Sequence, residues 1–468
     1  MRQKTHFACS QCGNTTPKWQ GKCDACGSWN SIQEEVAPLH GNGGSGGLKR
    51  TFGGGQAAIP LDQVSSQPIP RIYTGISELD RVLGGGLVPG SLTLLSGEPG
   101  IGKSTLVLQT LHALACRGFS VLYATGEESL EQVRLRAERL NTLNSKILLM
   151  NETNLQMIEQ EAQKQKPTLL VVDSIQTVFK PQLESSPGTV SQLRECAADL
   201  MHLAKGKQIA ILVIGHVTKE GSIAGPKVLE HLVDTILNLE GEPHSGHRVL
   251  RSLKNRFGST GEIGVFGLTA TGLKDISNPS ELFLSSDIAK ATIGSAVGIS
   301  LEGTRPLLVE VQALVGKTTF SIPKRVVSGL DSNRLSILTA VLEKRAGLFL
   351  STNDIYAGAA GGLRLVEPAL DLALAAALTS SLLEKPIPAK VAFFGEVGLT
   401  GELRSCSYAL LRLNEAAKMG LGAIIMPKRN FIQEKDQIHK MLISNQSDLQ
   451  IYPLEFIWEM VEFLNPRN

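Results

Sequence analysis

The sequence predicts an α/β protein built on a parallel-sheet core, with a small cysteine-bearing module ahead of it. Three observations carry that expectation. The segment Gly97-Glu98-Pro99-Gly100-Ile101-Gly102-Lys103-Ser104-Thr105 spells G-x-x-x-x-G-K-[ST] directly after an apolar run, Ser91–Leu95. Downstream of it, strand-length apolar runs alternate with helical patterns, as in a parallel sheet covered by helices. Ahead of it stand two C-x-x-C pairs, Cys9/Cys12 and Cys23/Cys26.

At 468 residues the chain exceeds one ordinary domain. A hydrophobic content of 42% with 19% charged residues excludes bulk disorder. The net charge of +2 leaves any nucleic-acid surface to local clustering of cations. The start, Met1–Phe7, has no apolar h-region, so a cytoplasmic location is expected. The most apolar later stretch, Ala369–Leu383, is interrupted by Asp371, Thr379, Ser380 and Ser381. It falls short of the roughly 20 apolar residues of a membrane span and reads as a buried helix.

Taken in order, Cys9, Cys12, Cys23 and Cys26 have the spacing that closes four thiolates on one structural zinc. Two disulfides are the alternative, which a reducing cytoplasm disfavours. Lys18, Trp19 and Lys22 surround the cysteines, and Trp29 follows. A nucleic-acid contact and indole packing over the metal are both open readings of that cluster. Cys116, Cys196 and Cys406 are expected to be buried small hydrophobes. Gly41–Gly47 and Gly53–Gly55 mark a flexible linker, and a helix is expected to start at Ser77.

In the glycine-rich loop, backbone N–H groups and the following helix, Leu106–Arg117, are suited to cradle a phosphate chain. Lys103 is placed to reach the β- and γ-phosphates of ATP, and Ser104 to ligate magnesium. The strand Ser120–Ala124 ends at Thr125-Gly126-Glu127-Glu128-Ser129, with Ser129 and Gln132 spaced as a capping box. Glu127 is the candidate water-activating base, expected on a strand next to the P-loop strand. Leu169-Leu170-Val171-Val172-Asp173 reads as a central buried strand whose Asp173 joins the magnesium shell. Ile209–Ile214 is a further buried strand, leading to His216, a candidate γ-phosphate sensor or an ordinary loop histidine. Pro181–Gly188 and Thr218–Lys227 are expected as loops at the ligand-bearing end of the sheet. Arg248–Leu253 alternates as a strand and delivers Lys254-Asn255-Arg256-Phe257-Gly258, two cations suited to phosphate charge in cis or across a subunit boundary.

The two C-x-x-C pairs, Gly97–Thr105, Asp173 and Lys254–Gly258 in this order resemble the RadA (Sms) family of bacterial DNA repair proteins, over essentially the whole chain. The resemblance implies a RecA-like ATPase that forms a hexameric homo-oligomer and extends branched recombination intermediates on single-stranded and branched DNA. ATP, magnesium and zinc are its implied ligands, and the RecA recombinase is a candidate partner. It also implies an α+β C-terminal domain similar to the Lon peptidase, supported by Gly395–Glu402 and Glu415–Gly420. Lon needs a serine–lysine dyad. Here Ala369 follows Pro368 at the serine position, and Ala409–Leu413 offers no lysine, so proteolysis is not expected. The resulting division is a zinc finger at 1–36, a linker at 37–70, the ATPase core at 71–283 and the Lon-like domain at 284–468. Lys317, Lys324 and Arg325 are a candidate basic surface of that last domain. A DNA-dependent motor is the leading functional expectation. An ATP-switched DNA-binding adaptor and an ATP-dependent protease are the alternatives.

Overall fold

A computed structural model describes residues 5–9, 15–16, 18–24, 27, 29, 31–36, 60, 62, 70–215, 228–241, 246–284, 290–319, 321–360 and 365–466. Cys12, Cys26, His216, the segment Thr218–Lys227 and almost all of the 37–70 linker lie outside the described residues. The chain divides into two compact units, Met1–Ile276 and Ser277–Asn468. The division falls before the short helix Ser280–Phe283, whose Ser280 hydroxyl donates to Glu415 at 2.8 Å and thus joins the C-terminal unit.

The first unit is organised on a nine-stranded sheet. Six parallel strands run in the spatial order Thr235–Glu240, Leu92–Gly97, Ala210–Ile214, Leu169–Asp173, Val121–Thr125, Ile147–Asn151. Three antiparallel strands, His247–Asn255, Ile263–Thr269 and Gly272–Asp275, extend the other side. The continuous apolar runs follow from burial on both faces. Leu169 and Val171 join the core under the helices Lys103–Cys116 and Leu130–Arg139, whereas Leu170 and Val172 face the helices Leu155–Gln165 and Val190–Lys207. Truncating any of these four to alanine removes packing on a fully buried strand, a change that typically costs about 1–5 kcal/mol.

One placement differs from expectation. Val121–Thr125 does not neighbour the P-loop strand, because Ala210–Ile214 and Leu169–Asp173 lie between them. The strand after the first crossover helix has skipped outward, leaving a gap that later strands fill. Glu127 still converges on the site, because Val121–Thr125 pairs directly with the strand that ends in Asp173.

In the second unit, seven strands form a mixed sheet in the order Arg325–Ser328, Asn353–Ala359, Arg305–Lys317, Ser295–Glu302, Val391–Phe393, Ala423–Pro427, Gln450–Leu454. The apolar stretch expected as one helix is a 3-10 turn, Pro368–Leu370, followed by the buried helix Asp371–Leu383. Lys317, Lys324 and Arg325 are all exposed at the strand ends of one side of this sheet. No helix of the described residues is long and apolar enough to cross a membrane.

Candidate active site

The P-loop strand Leu92–Gly97 is buried throughout, and the helix Lys103–Cys116 follows the loop. Gly97 has φ +153°, and a Cβ there would sit 2.6 Å from the Leu239 carbonyl oxygen, so no side chain fits. Lys103 is buried and folds back on its own loop, its Nζ donating to the Gly97 and Glu98 carbonyls at 2.8 and 2.9 Å. Burial lowers its pKa, partly opposed by the nearby Asp173 and Glu127 carboxylates. Glu98, Pro99 and Gly100 form the exposed rim, Ile101 is buried, and Gly102 caps the helix with φ +117°. Thr105 lies in the first helical turn beside Ser104.

Ser104 donates from Oγ to Asp173 Oδ2 at 3.1 Å. These two oxygens are hard donors of the kind magnesium takes, and they already share one locus, so the residues present fit the ion. Burial pushes the Asp173 carboxyl up, hydrogen bonds from Tyr123 and Ser104 pull it back, and the Glu127 charge pushes the same way as burial. Glu127 is exposed at the strand tip and accepts from the Ser174 hydroxyl. Glu128 instead pairs with Arg136 on the helix it precedes, and the Ser129/Gln132 capping box is formed. The structure therefore brings Lys103, Ser104, Glu127 and Asp173 to one end of the sheet.

Two residues of this cluster escaped the sequence reading. Tyr123 is fully buried, and its hydroxyl donates to Asp173 Oδ2 at 2.6 Å. Its signal was a phenol within a largely apolar strand, since a buried Tyr hydroxyl needs a partner. Arg248 is buried and donates from Nε to the Ile101 carbonyl of the loop at 3.2 Å. Tyr123→Phe is expected to raise the magnesium concentration needed for nucleotide binding by roughly tenfold, as loss of an outer-shell bond does. The substitution also removes a bond that lowers the Asp173 pKa. Asp173 then protonates at higher pH, and magnesium-dependent binding is lost at a higher pH than in the parent as the solution is acidified. Fluorescent-nucleotide titrations across magnesium and pH check both effects.

Lys254 and Arg256 lie elsewhere. The strand extends through Asn255, so Lys254 is its penultimate residue and not part of the turn. Asn255 pairs with Thr235, whereas the P-loop residue Gly97 pairs with Leu239 at the other end of the same strand. The two cations are thus about 13 Å along the sheet from their own phosphate loop, at ~3.3 Å per residue. Lys254 Nζ donates to the Glu230 and Val233 carbonyls, and burial followed by repulsion from Arg256 lowers its pKa. Arg256 is half exposed and pairs with Asp234 at 3.1 Å, whose other oxygen accepts from Leu92 N. Asn255 accepts from Phe257 N at 2.9 Å and donates to the Val82 carbonyl at 3.3 Å. Gly258 touches Gly84, where an added Cβ would meet Cα at 3.0 Å. Asn255 and Gly258 hold the turn against the helix Ser77–Leu83, while Lys254 and Arg256 reach the Glu230–Asp234 segment.

At the metal module, Cys9 and Cys23 are fully buried beside Ile32, with Cys9 Sγ 3.2 Å from the Ser31 hydroxyl. Strands Thr5–Cys9, Thr15–Thr16 and Ile32–Val36 form its antiparallel sheet. Among the described residues no group of three ligating side chains forms, since Cys12 and Cys26 lie outside them. Two buried thiols, each opening its own C-x-x-C knuckle, fit a zinc held by Cys9, Cys12, Cys23 and Cys26. Trp19 and Trp29 are both exposed. Of the other cysteines, Cys196 is buried as expected, Cys406 is partly exposed and Cys116, the last residue of its helix, is exposed.

In the C-terminal unit, Ala369 is buried and its carbonyl accepts from Gly395 N at 2.8 Å. Arg412, in the helix Ala409–Lys418, is fully buried. Its guanidinium pairs with Glu367, donates to the Ile299 carbonyl at 2.6 Å and lies over Phe394. An alanine has no nucleophile, and a guanidinium does not give up its proton, so this pair of positions has no acyl-transfer chemistry.

Comparison with known proteins agrees with this layout. Residues 7–34 match the rubredoxin metal binding domain, residues 61–222 an AAA domain, and residues 359–430 the subunit ChlI of Mg-chelatase. DNA repair protein RadA of Halalkalibacterium halodurans is 48% identical over 92% of this chain and 93% of its own. That of Bacillus subtilis is likewise 48% identical over 92% and 93%. A solved structure of the RadB recombinase is 28% identical, covering 44% of this chain and 99% of its own with a TM-score of 0.35. The architecture is a zinc ribbon, a RecA-like α/β ATPase core and a Lon-like C-terminal domain. At this identity and coverage the chain belongs to the RadA family of DNA repair proteins.

Proposed function

We propose that the chain is a DNA-dependent ATPase that moves branched recombination intermediates, working in the cytoplasm as a ring of identical subunits, hexameric by resemblance to its family. The observation that carries the reading is the split site. Lys103, Ser104, Glu127 and Asp173 share one end of the sheet, and Lys254 and Arg256 stand at the opposite end. Two cations that cannot reach their own phosphate loop are suited to a neighbour's.

In this mechanism Lys103 leaves the Gly97 and Glu98 carbonyls for the β- and γ-phosphates of ATP. Ser104 and Asp173 hold magnesium, which when bound neutralises charge on the phosphate oxygens. Glu127, kept at the strand tip by the Ser174 hydroxyl, orients the attacking water and takes its proton. Lys254 and Arg256 of one subunit offset the negative charge that builds on the neighbour's γ-phosphate. The Pro181–Gly188 loop, tied down by the buried Gln192 side chain through Ser185, follows the Asp173 strand and faces the DNA path. The Lon-like domain serves as a scaffold without peptidase chemistry. The RecA recombinase is the proposed protein partner.

The reading is tested by ATP hydrolysis with and without single-stranded DNA. Stimulation by DNA is expected, with Glu127→Gln retaining nucleotide binding while losing turnover by roughly two orders of magnitude or more. Identical rates with and without DNA would remove the motor reading.

A further inference from the structure

The zinc module carries a feature that its metal does not explain. Trp19 is 60% exposed and Trp29 is 72% exposed, in a small domain that has few apolar residues to spare. Both indoles flank Gly21, since a Cβ built there lies 3.8 Å from Trp19 Cη2 and 4.0 Å from Trp29 Cζ3. The loop is held in this form by local bonds. Lys22 forms an antiparallel bridge with Trp29, the Thr16 hydroxyl donates to the Lys18 carbonyl at 2.8 Å, and Gly27 N donates to the Cys23 carbonyl at 2.8 Å. Lys22 Nζ lies 5.6 Å from the Trp29 ring centroid, and Lys18 is exposed beside Trp19. One exposed carboxylate, Asp24, shares the loop.

We infer that Trp19 and Trp29 form a stacking platform for unpaired bases of single-stranded DNA, with Lys18 and Lys22 contacting the flanking phosphates. Exposed indoles with ammonium groups close by, Lys22 over one face of Trp29 and Lys18 next to Trp19, match a chain of alternating π faces and anions. A ligand without flat faces would use the cations alone, and one without charge would leave them idle. Gly21 has a function here: with no side chain it leaves the space between the rings open to a base. The inference rests on the DNA-motor reading and deepens it by assigning a second contact, apart from the ATPase sheet. A tethered module that grips single strands would keep the displaced strand close to the ring.

The sequence supplies its own probe. The chain has three tryptophans, Trp19, Trp29 and Trp458, so in the full-length Trp458→Phe protein all indole emission arises from the zinc module. Titration with oligo-dT is expected to quench that emission. Trp19→Ala and Trp29→Ala are each expected to weaken oligo-dT binding roughly tenfold, the range of base–aromatic stacking. Gly21→Val, whose Cβ meets only ordinary van der Waals neighbours, is expected to weaken binding with zinc content unchanged. DNA-stimulated hydrolysis without quenching, and with the tryptophan variants binding as tightly as the parent, would overturn the platform and leave the motor reading standing; it would assign the indoles to a protein surface. Absence of any DNA binding by the parent chain would overturn both.

Discussion

Lys103→Ala is expected to lower ATP turnover by roughly a hundred- to a thousandfold, the range for removing one preorganised charge from a transition state. The fold should survive it. Lys103 is buried, which disfavours its charge and lowers its pKa, and its Nζ bonds to the Gly97 carbonyl and to the Glu98 carbonyl at the exposed rim of the loop. Water can replace those two bonds, so the variant should melt within a few degrees of the parent. Steady-state hydrolysis together with thermal denaturation separates a lost catalytic charge from a lost fold.

The second large effect concerns the far end of the sheet. Arg256→Ala is expected to cut turnover about a thousandfold, as loss of a charge supplied across an interface does, while nucleotide binding to the isolated P-loop changes little. Arg256 is half exposed, and its pair with Asp234 is worth about 1 kcal/mol at most once solvent screening is allowed for. Lys254→Ala should act in the same direction with a larger structural component, because its ammonium closes the Glu230 and Val233 carbonyls. Mixing Lys103→Ala subunits with Arg256→Ala subunits is the decisive form of the test. Each alone is inactive, but random assembly leaves about a quarter of interfaces with an intact loop facing an intact Arg256. Recovered hydrolysis in the mixture is the outcome for a site shared between subunits. A mixture as inactive as its components is the outcome for cations acting within their own subunit.

Much of this was legible because the strongest signals are local. Gly97–Thr105 forms its loop wherever a strand delivers it to a helix, and Leu169–Asp173 could be little other than a strand buried on both faces. The four cysteines announced their module by spacing alone. What sequence could not show is lateral order. The strand that leads to Glu127 is separated from the P-loop strand by two others, a consequence of crossovers that pack later strands into the gap. The positions of Lys254 and Arg256 were equally hidden, because strand direction, not residue type, sends them away from the loop. Tyr123 and Arg248 read only as positions within strands, and it is their polar atoms, turned toward Asp173 and Ile101, that tie them to the site. In the C-terminal unit the missing serine and lysine were plain from sequence, but the buried pairing of Arg412 with Glu367 needed three dimensions.

The central claim is that hydrolysis at this shared site moves DNA. It is tested most directly by following branch extension on a three-strand recombination intermediate with ATP, with a non-hydrolysable ATP analogue and with the Glu127→Gln protein. The account predicts extension with ATP alone, and only initial binding in the other two cases. Equal extension in all three, or ATP hydrolysis stimulated by DNA with no extension at all, would contradict it.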